Sequence, residues 1–181
     1  MALEKWKFDA VHSHVSFSVR HLMISRVHGS FKVWSGALET DDADLEKAGL
    51  QVSIDAASID TKEPQRDEHL RSADFFDAAN HPAITFESTS VKKLSSERYE
   101  VTGNLTIRGV SKPVTLDSEY FGRQKDPWGS ERAGFSAKTS IDRRDFGLTF
   151  NMPLDGGGFV VGDKVDIVLD VEAVKEAAAT A

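Results

Sequence analysis

The sequence has 181 residues, a formal net charge of −7 from 29 acidic and 22 basic side chains, and no cysteine. This length fits one domain with a sizeable core. Because no lysine and arginine cluster forms a stripe, the charge pattern argues against a nucleic-acid partner. The lack of cysteine excludes a disulfide framework, a thiolate nucleophile and cysteine-ligated metals. We expect a single domain over residues 1–181, with a frayed end over residues 176–181.

The chain has no apolar run as long as a signal peptide or a transmembrane helix requires. We therefore expect a protein that does not span a membrane and that is located in the cytoplasm. If an export signal had been cut from the natural chain, the periplasm would be the alternative location.

Alternation of apolar and polar residues predicts three strands before residue 60. Val15–Arg20 is the first strand. Val27–Leu38 is predicted as one strand with a bulge near Ser35 and Gly36, where the inward face changes phase. The charged residues 41–47 are predicted to form a loop, and Leu50–Ala56 forms the third strand.

One internal segment carries the signals of a helix. Asp60 and Thr61 are residue types that suit the N-cap, and Glu63 could form the second half of a capping box with Asp60. Pro64 falls in the first turn, where its missing N–H costs nothing. We predict a helix over about residues 63–71 and a further short turn that ends near Phe76. Because so short a helix cannot form a core, we expect a helical cap over about residues 63–76 on the end of a β-structure.

The remainder of the chain again reads as strands. Apolar alternation predicts strands near residues 84–87, 99–108, 114–120, 133–141 and 165–171, with an irregular excursion over residues 143–162. Eight strands at hairpin spacing leave a two-sheet sandwich or an antiparallel barrel as alternatives. Small inward residues favour an all-β, eight-stranded antiparallel barrel with room for one narrow ligand; they are Gly103, Ser118, Ala133 and Ala137.

Motifs of catalysis and metal binding are weak in this sequence. His12 and His14 project to the same side of a strand, but a zinc site needs three or four convergent ligands. No nucleophile elbow, P-loop or dinucleotide-binding motif occurs. Charged neighbours at residues 66–67 and 143–145 flank the irregular segments, either as solvated surface pairs or as polar contacts at a ligand entrance. We therefore predict no catalytic residues, no metal site and no cofactor.

The order of the motifs resembles the YceI-like family, the polyisoprenoid-binding proteins with a lipocalin-like barrel. The resemblance implies an apolar tunnel for a long isoprenoid or acyl chain, no enzymatic activity inherent in the fold, and a tendency to form homodimers. The matching stretches follow one another over most of the chain: Trp6–Asp9, Phe17–Phe31, Arg66–Asp77, His81–Ser88, Gly103–Val114 and Gly134–Leu148.

The function predicted from these features is non-covalent binding, for carrying or sequestering, of a long-chain amphiphile such as a polyisoprenoid or a prenylated quinone. One alternative is a hydrolase or isomerase that acts on a prenyl or acyl lipid, and another is a structural or partner-binding module with a filled interior. The predicted ligand-binding residues are inward-facing apolar side chains on the strands and in the irregular excursion: Phe17, Val19, Phe31, Val33, Ile54, Phe86, Leu105, Ile107, Phe135, Phe146, Ile167 and Leu169.

Overall fold

The computed structural model describes residues 3–41 and 44–177, which form eleven strands and one α-helix. No helix in these residues has the length and apolar character needed to cross a bilayer. The helix α1 spans Pro64–Arg71. The strands are β1 (Leu3–Phe8), β2 (His14–His21), β3 (Ser25–Phe31), β4 (Trp34–Asp41), β5 (Asp44–Asp55), β6 (Ile59–Asp60), β7 (Ala83–Lys93), β8 (Arg98–Ile107), β9 (Val110–Lys125), β10 (Glu131–Asp142) and β11 (Val161–Lys175).

Eight of the strands close into an antiparallel barrel, which confirms the predicted architecture. Their order around the barrel is β1, β4, β5, β7, β8, β9, β10 and β11. The ring closes where Ala173–Lys175 of β11 pairs with Trp6–Phe8 of β1. Closure leaves no free edge between these strands, because every one of them has a partner on both sides.

The other three strands extend the sheet beyond the barrel. The first part of β11 pairs with β2, and β3 and β6 follow outward from β2. A 3-10 turn at Ala10–His12 separates β1 from β2, so both strands lie in succession along the same long partner. This extension builds up the end of the barrel on which α1 lies.

The predicted strand Val27–Leu38 is in fact two strands, and the phase changes at Lys32 and Val33 rather than near Ser35 and Gly36. β3 ends at Phe31 and β4 begins at Trp34. Both of these aromatic side chains are buried, although they are three residues apart. A continuous strand would have placed Phe31 and Val33 on the same face, so the break between the strands resets the alternation.

The first half of the chain differs from the prediction in two further ways. Residues 44–47 of the predicted loop belong to β5, while residues 42–43 lie outside the described residues. β1 was not predicted. Its inward face carries the charged Glu4 beside Trp6 and Phe8, so the apolar alternation that marks a strand is interrupted there.

The helical cap is confirmed in place, but its N-cap differs from the prediction. Glu63 is itself the N-cap, and its carboxylate accepts hydrogen bonds from the backbone N–H groups of Gln65 at 3.3 Å and Arg66 at 2.7 Å. Asp60 instead accepts from the N–H of Lys62. The helix ends at Arg71, and backbone hydrogen bonds organise the following turns.

The ends of the first and last strands carry a partly buried network of charges beside Trp6. Glu4 accepts hydrogen bonds from Lys175 Nζ and from Arg123 Nη2, each at 2.9 Å. The Arg123 guanidinium lies 4.9 Å from the centroid of the Trp6 ring. Burial alone would raise the pKa of Glu4, but the hydrogen bonds from Lys175 and Arg123 outweigh it and lower the pKa to about 2. The network ties β1, β9 and β11 together where the barrel closes. Of the predicted frayed end, Glu176 still donates its N–H to Lys5, and residues 178–181 lie outside the described residues.

We expect Glu4→Gln to lower the free energy of unfolding by about 1–3 kcal/mol at pH 7, because it weakens two charge-assisted hydrogen bonds. The folded-state pKa lies below the ordinary value of 4.5, so the stabilisation is complete above that pH and is lost as the pH falls toward 2. Urea unfolding at a series of pH values should therefore show the wild type and the variant converging in acid. The control is Glu39→Gln, whose carboxylate is half exposed and lies 3.8 Å from Lys5. A constant difference at every pH would contradict the role given to Glu4.

Candidate functional site

The barrel encloses a cavity of about 250 Å³. Most of the side chains around it are aliphatic or aromatic. They come from β2, β5 and every strand from β7 to β11, with one residue each from β1, β3 and β4. On these strands the alternation seen in the sequence places one set of residues inward. The cavity is therefore an apolar environment built by the barrel wall itself.

Eleven of the twelve predicted ligand-binding residues line this cavity. The exception is Val33, which is 58% exposed on the connection between β3 and β4, so its inward assignment is wrong. The reason is the phase reset described above, which turns Val33 outward. Contact between a ligand and the other residues remains a prediction; the eleven that line the cavity are Phe17, Val19, Phe31, Ile54, Phe86, Leu105, Ile107, Phe135, Phe146, Ile167 and Leu169.

Small residues create the space at two of the four predicted positions. Ser118 and Ala137 line the cavity and are direct partners across β9 and β10. Gly103 has a different role: a Cβ there would lie 2.5 Å from the ring of Phe86 and 2.4 Å from the carbonyl oxygen of Glu87. Ala133 belongs to the separate core around Trp6. Two of the four predicted positions therefore border the cavity, and the other two are close-packed.

The helical cap contributes side chains that the site prediction missed. Leu70, Phe75 and Phe76 line the end of the cavity beneath α1. Phe76 packs edge-on against Phe31 with ring centroids 5.9 Å apart. The sequence did carry a signal for Leu70 and Phe76, because both fall on one face of the cap and need cover.

The irregular excursion also reaches the cavity. Leu148 and Val161 line it, and Phe150 contacts the rings of His69 and Phe75 at 4.9 and 5.3 Å between centroids. These contacts hold residues 147–161 against α1. No periodicity marks the excursion, so the prediction included Phe146 from it but missed Leu148 and Val161.

Arg143 shapes the excursion from inside. Its side chain is 5% exposed, and the guanidinium donates hydrogen bonds to the carbonyl oxygens of Leu148 at 2.6 Å, Gly162 at 2.8 Å and Phe150 at 2.9 Å. Burial lowers its pKa, while the nearby carboxylate of Asp163 opposes that shift. Arg143 thus serves as a fixed hydrogen-bond centre for backbone carbonyls that no sheet partner satisfies.

The acidic residue near the cap is buried as well. Asp67 accepts hydrogen bonds from the N–H and the hydroxyl of Thr61, and Arg66 donates to the hydroxyl and carbonyl oxygens of Thr61. The interpretation of residues 66–67 and 143–145 as solvated surface pairs is therefore wrong for Asp67 and Arg143. Both are internal supports of the segments that cover one end of the cavity.

His12 lies in a compact charged cluster with Asp9 and Glu172. Arg132 occupies the centre of this cluster, with Nη1 2.9 Å from Asp9 and 2.6 Å from Glu172. The hydrogen bond from His12, assisted by Arg132, lowers the pKa of Asp9 to about 2 against the effect of burial. The guanidinium supplies the positive charge that a metal ion would otherwise bring. His14, the other candidate ligand, is not part of the cluster.

The cavity offers much apolar surface and few reactive groups. Within the described ranges, Glu119 and Arg143 are the charged residues among those that line it. Glu119 pairs with Arg98, which is half exposed, and Arg143 is occupied by backbone carbonyls. Such a lining can bury an apolar chain, and it shows no pairing of a nucleophile with a base.

Comparison with known proteins agrees with this geometry. The YceI-like domain family matches residues 6–173. The protein YceI of Escherichia coli O157:H7 is 41% identical over 168 residues, which cover 93% of this chain and 84% of that protein. The crystal structure of Burkholderia cenocepacia BcnA superimposes with a TM-score of 0.80 at 26% identity, covering 91% of this chain and 98% of the other.

A more distant structure shares the fold alone. It is a polyisoprenoid binding domain from Saccharophagus degradans, with a TM-score of 0.67 at 16% identity, covering 94% of this chain and 98% of that domain. The family match spans the barrel from the strand that opens it to the strand that closes it. The chain therefore belongs to the YceI-like family.

Proposed function

We propose that this protein binds a long-chain amphiphile non-covalently and carries or sequesters it. The observation on which the proposal rests is the apolar cavity inside a closed barrel. Removing an alkyl or prenyl chain from water yields about 0.8 kcal/mol for each CH₂ group that is buried. A polyisoprenoid or a prenylated quinone supplies such a chain, and the cavity walls provide its surroundings.

Family membership and the shared fold support this proposal. The Saccharophagus degradans domain, which shares the fold, is described as polyisoprenoid binding, and this description supports the proposal. The cavity lining also favours a binding protein over an enzyme. Its two charged residues, Arg143 and Glu119, are engaged in structural contacts.

Native mass spectrometry of the purified protein tests the proposal, followed by solvent extraction of any bound molecule. We expect a long-chain amphiphile to co-purify, and prenyl lipids added to stripped protein should raise its melting temperature, because a ligand that binds only the folded state stabilises it. If no lipid is found and none raises the melting temperature, the protein is not a carrier. Turnover of a prenyl diphosphate by the purified protein would instead support an enzyme.

A further inference from the structure

An exposed apolar patch lies at the tip of the hairpin that joins β2 and β3. The tip consists of Leu22, Met23 and Ile24, and Ile24 is 85% exposed. Met152 and Phe159 of the irregular excursion are about half exposed and complete the patch. These five residues are hereafter called the tip patch. Large apolar side chains clustered in this way on a soluble surface mark a site of contact with another surface.

The backbone joins the two parts of the tip patch. The N–H of Leu22 donates to the carbonyl oxygen of Val160 at 2.8 Å. The N–H of Val160 in turn donates to the carbonyl oxygen of Met152 at 3.0 Å. The side chain of Met23 lies beside Gly158, where a Cβ would come within 3.3 Å of Met23 Cγ. The hairpin tip and the excursion thus present one continuous surface.

Two residues of the hairpin tip have a backbone conformation that is strained for their side chains. Leu22 and Met23 have φ values of 52° and 64°, in the left-handed region that glycine, asparagine and aspartate adopt most readily. Glycine, asparagine or aspartate at positions 22 and 23 would therefore make the hairpin more stable. Bulky apolar side chains at strained, exposed positions therefore point to a role in contact.

Two arginines lie beside the hairpin tip, and the exposed Asp155, in the turn between Met152 and Phe159, carries the opposite charge. Arg20 and Arg26 are directly opposite each other on the outer face of the hairpin, two residues from the tip on each side. Arg26 pairs with Asp166 at 2.8 Å, whereas the described residues give Arg20 neither an ion pair nor a hydrogen bond. Like charges directly opposite across strands are unfavourable, and a negatively charged surface would relieve them. In a chain with a net charge of −7, the guanidinium of Arg20 gives the hairpin side of the tip patch a positive charge that no described carboxylate neutralises.

The tip patch also adjoins the cavity. Val19 lines the cavity and precedes the tip by three residues, and Val161 lines it two residues after Phe159. His21 and Val161 are paired in register at this end of β2 and β11. A surface that received the tip patch would be brought next to this end of the cavity.

We propose that the tip patch docks on an anionic lipid surface, with the apolar side chains inserted at the interface and Arg20 against the headgroups. Apolar insertion and cationic attraction are the two contributions that hold proteins at such interfaces. This inference goes beyond ligand binding in the cavity, because docking depends on the outer surface and on none of the inward-facing residues.

Co-sedimentation with vesicles of phosphatidylcholine containing phosphatidylglycerol tests the docking. We expect the wild-type chain to bind these vesicles and Ile24→Ser to bind about tenfold more weakly. The matched control is Val11→Ser, because Val11 is 84% exposed in the turn at the opposite end of β2. Arg20→Gln should weaken binding about fivefold on vesicles with phosphatidylglycerol and leave binding to pure phosphatidylcholine unchanged. Lys112→Gln, an exposed cation on β9, is its control.

The proposal is wrong if the wild type does not bind the vesicles, or if Ile24→Ser and Val11→Ser weaken binding equally. It is also wrong if ultracentrifugation finds a dimer that Ile24→Ser dissociates while vesicles are not bound, since the tip patch would then join two copies of the chain. A lipid in the cavity without vesicle binding contradicts docking alone. Vesicle binding by a protein that never holds a lipid supports docking and contradicts the carrier function.

Discussion

Ala137→Trp is expected to abolish binding of a fluorescent prenyl lipid while the barrel remains folded. Ala137 lines the cavity between Ser118 of β9 and Leu169 of β11, its partners in register. An indole in place of a methyl group would fill much of a 250 Å³ space. In a close-packed core such a change would cost about 1–3 kcal/mol or more through overpacking, but here it occupies volume that a ligand would use.

The measurement combines lipid titration with urea unfolding of each protein after its bound lipid has been extracted. Lys138→Trp is the control, because Lys138 is the next residue of β10 and is exposed on the outer face. We expect the control to bind lipid as the wild type does. Unchanged lipid affinity in Ala137→Trp would place the ligand elsewhere, and loss of the cooperative unfolding transition would show that this wall is ordinary packed core.

Phe135→Ala tests the same part of the cavity wall by removing a side chain instead of adding one. Phe135 is half-buried, lines the cavity and stacks on Tyr120 with ring centroids 5.2 Å apart. A fully packed phenylalanine costs about 3–5 kcal/mol when it is truncated to alanine. We expect a smaller cost in the lipid-free protein, together with weaker lipid binding. The full penalty with unchanged affinity would show that Phe135 belongs to the packed core.

The inward-facing residues could be predicted wherever a strand is regular. On β7 and β8 the strict alternation of Phe86, Leu105 and Ile107 with polar neighbours leaves one arrangement in which the apolar side chains are buried. Val33 shows the limit of this reasoning. It continues the period of Phe31, but a break of two residues starts a new strand, and the pattern contains no sign of which residue resets the phase.

Charged residues that serve the interior could not be predicted. Glu4 faces inward on β1 because Arg123 and Lys175, far away in the sequence, lie beside it in the closed barrel. Arg143 appears in the sequence as one of four consecutive charged residues, and its partners are backbone carbonyls of an irregular segment. In both cases the compensating contacts exist only in the tertiary structure, so composition and periodicity carry no information about them.

Arg143→Met is expected to cause the largest loss of stability among these variants, about 3–5 kcal/mol. Methionine has an unbranched chain that can fill the apolar part of the site, but it cannot donate to the carbonyl oxygens of Leu148, Phe150 and Gly162. Each carbonyl left without a donor in the interior costs about 1–3 kcal/mol. Arg143→Lys should recover part of the loss, since an ammonium retains the charge but lacks the planar fork that reaches several acceptors.

Arg144→Met provides the matched control for the expected loss, because Arg144 is the adjacent residue but is 57% exposed and pairs with Asp142 at the surface. Such surface pairs contribute about 0–1 kcal/mol, so urea unfolding should separate the two variants clearly. Hydrogen exchange adds a second measurement: in Arg143→Met, amides of residues 147–161 should exchange faster, while those of β7 and β8 should change only with global stability. Because this segment covers one end of the cavity, the same variant should release bound lipid faster. Equal stability of the Arg143→Met and Arg144→Met variants would show that the buried guanidinium does not hold the excursion in place.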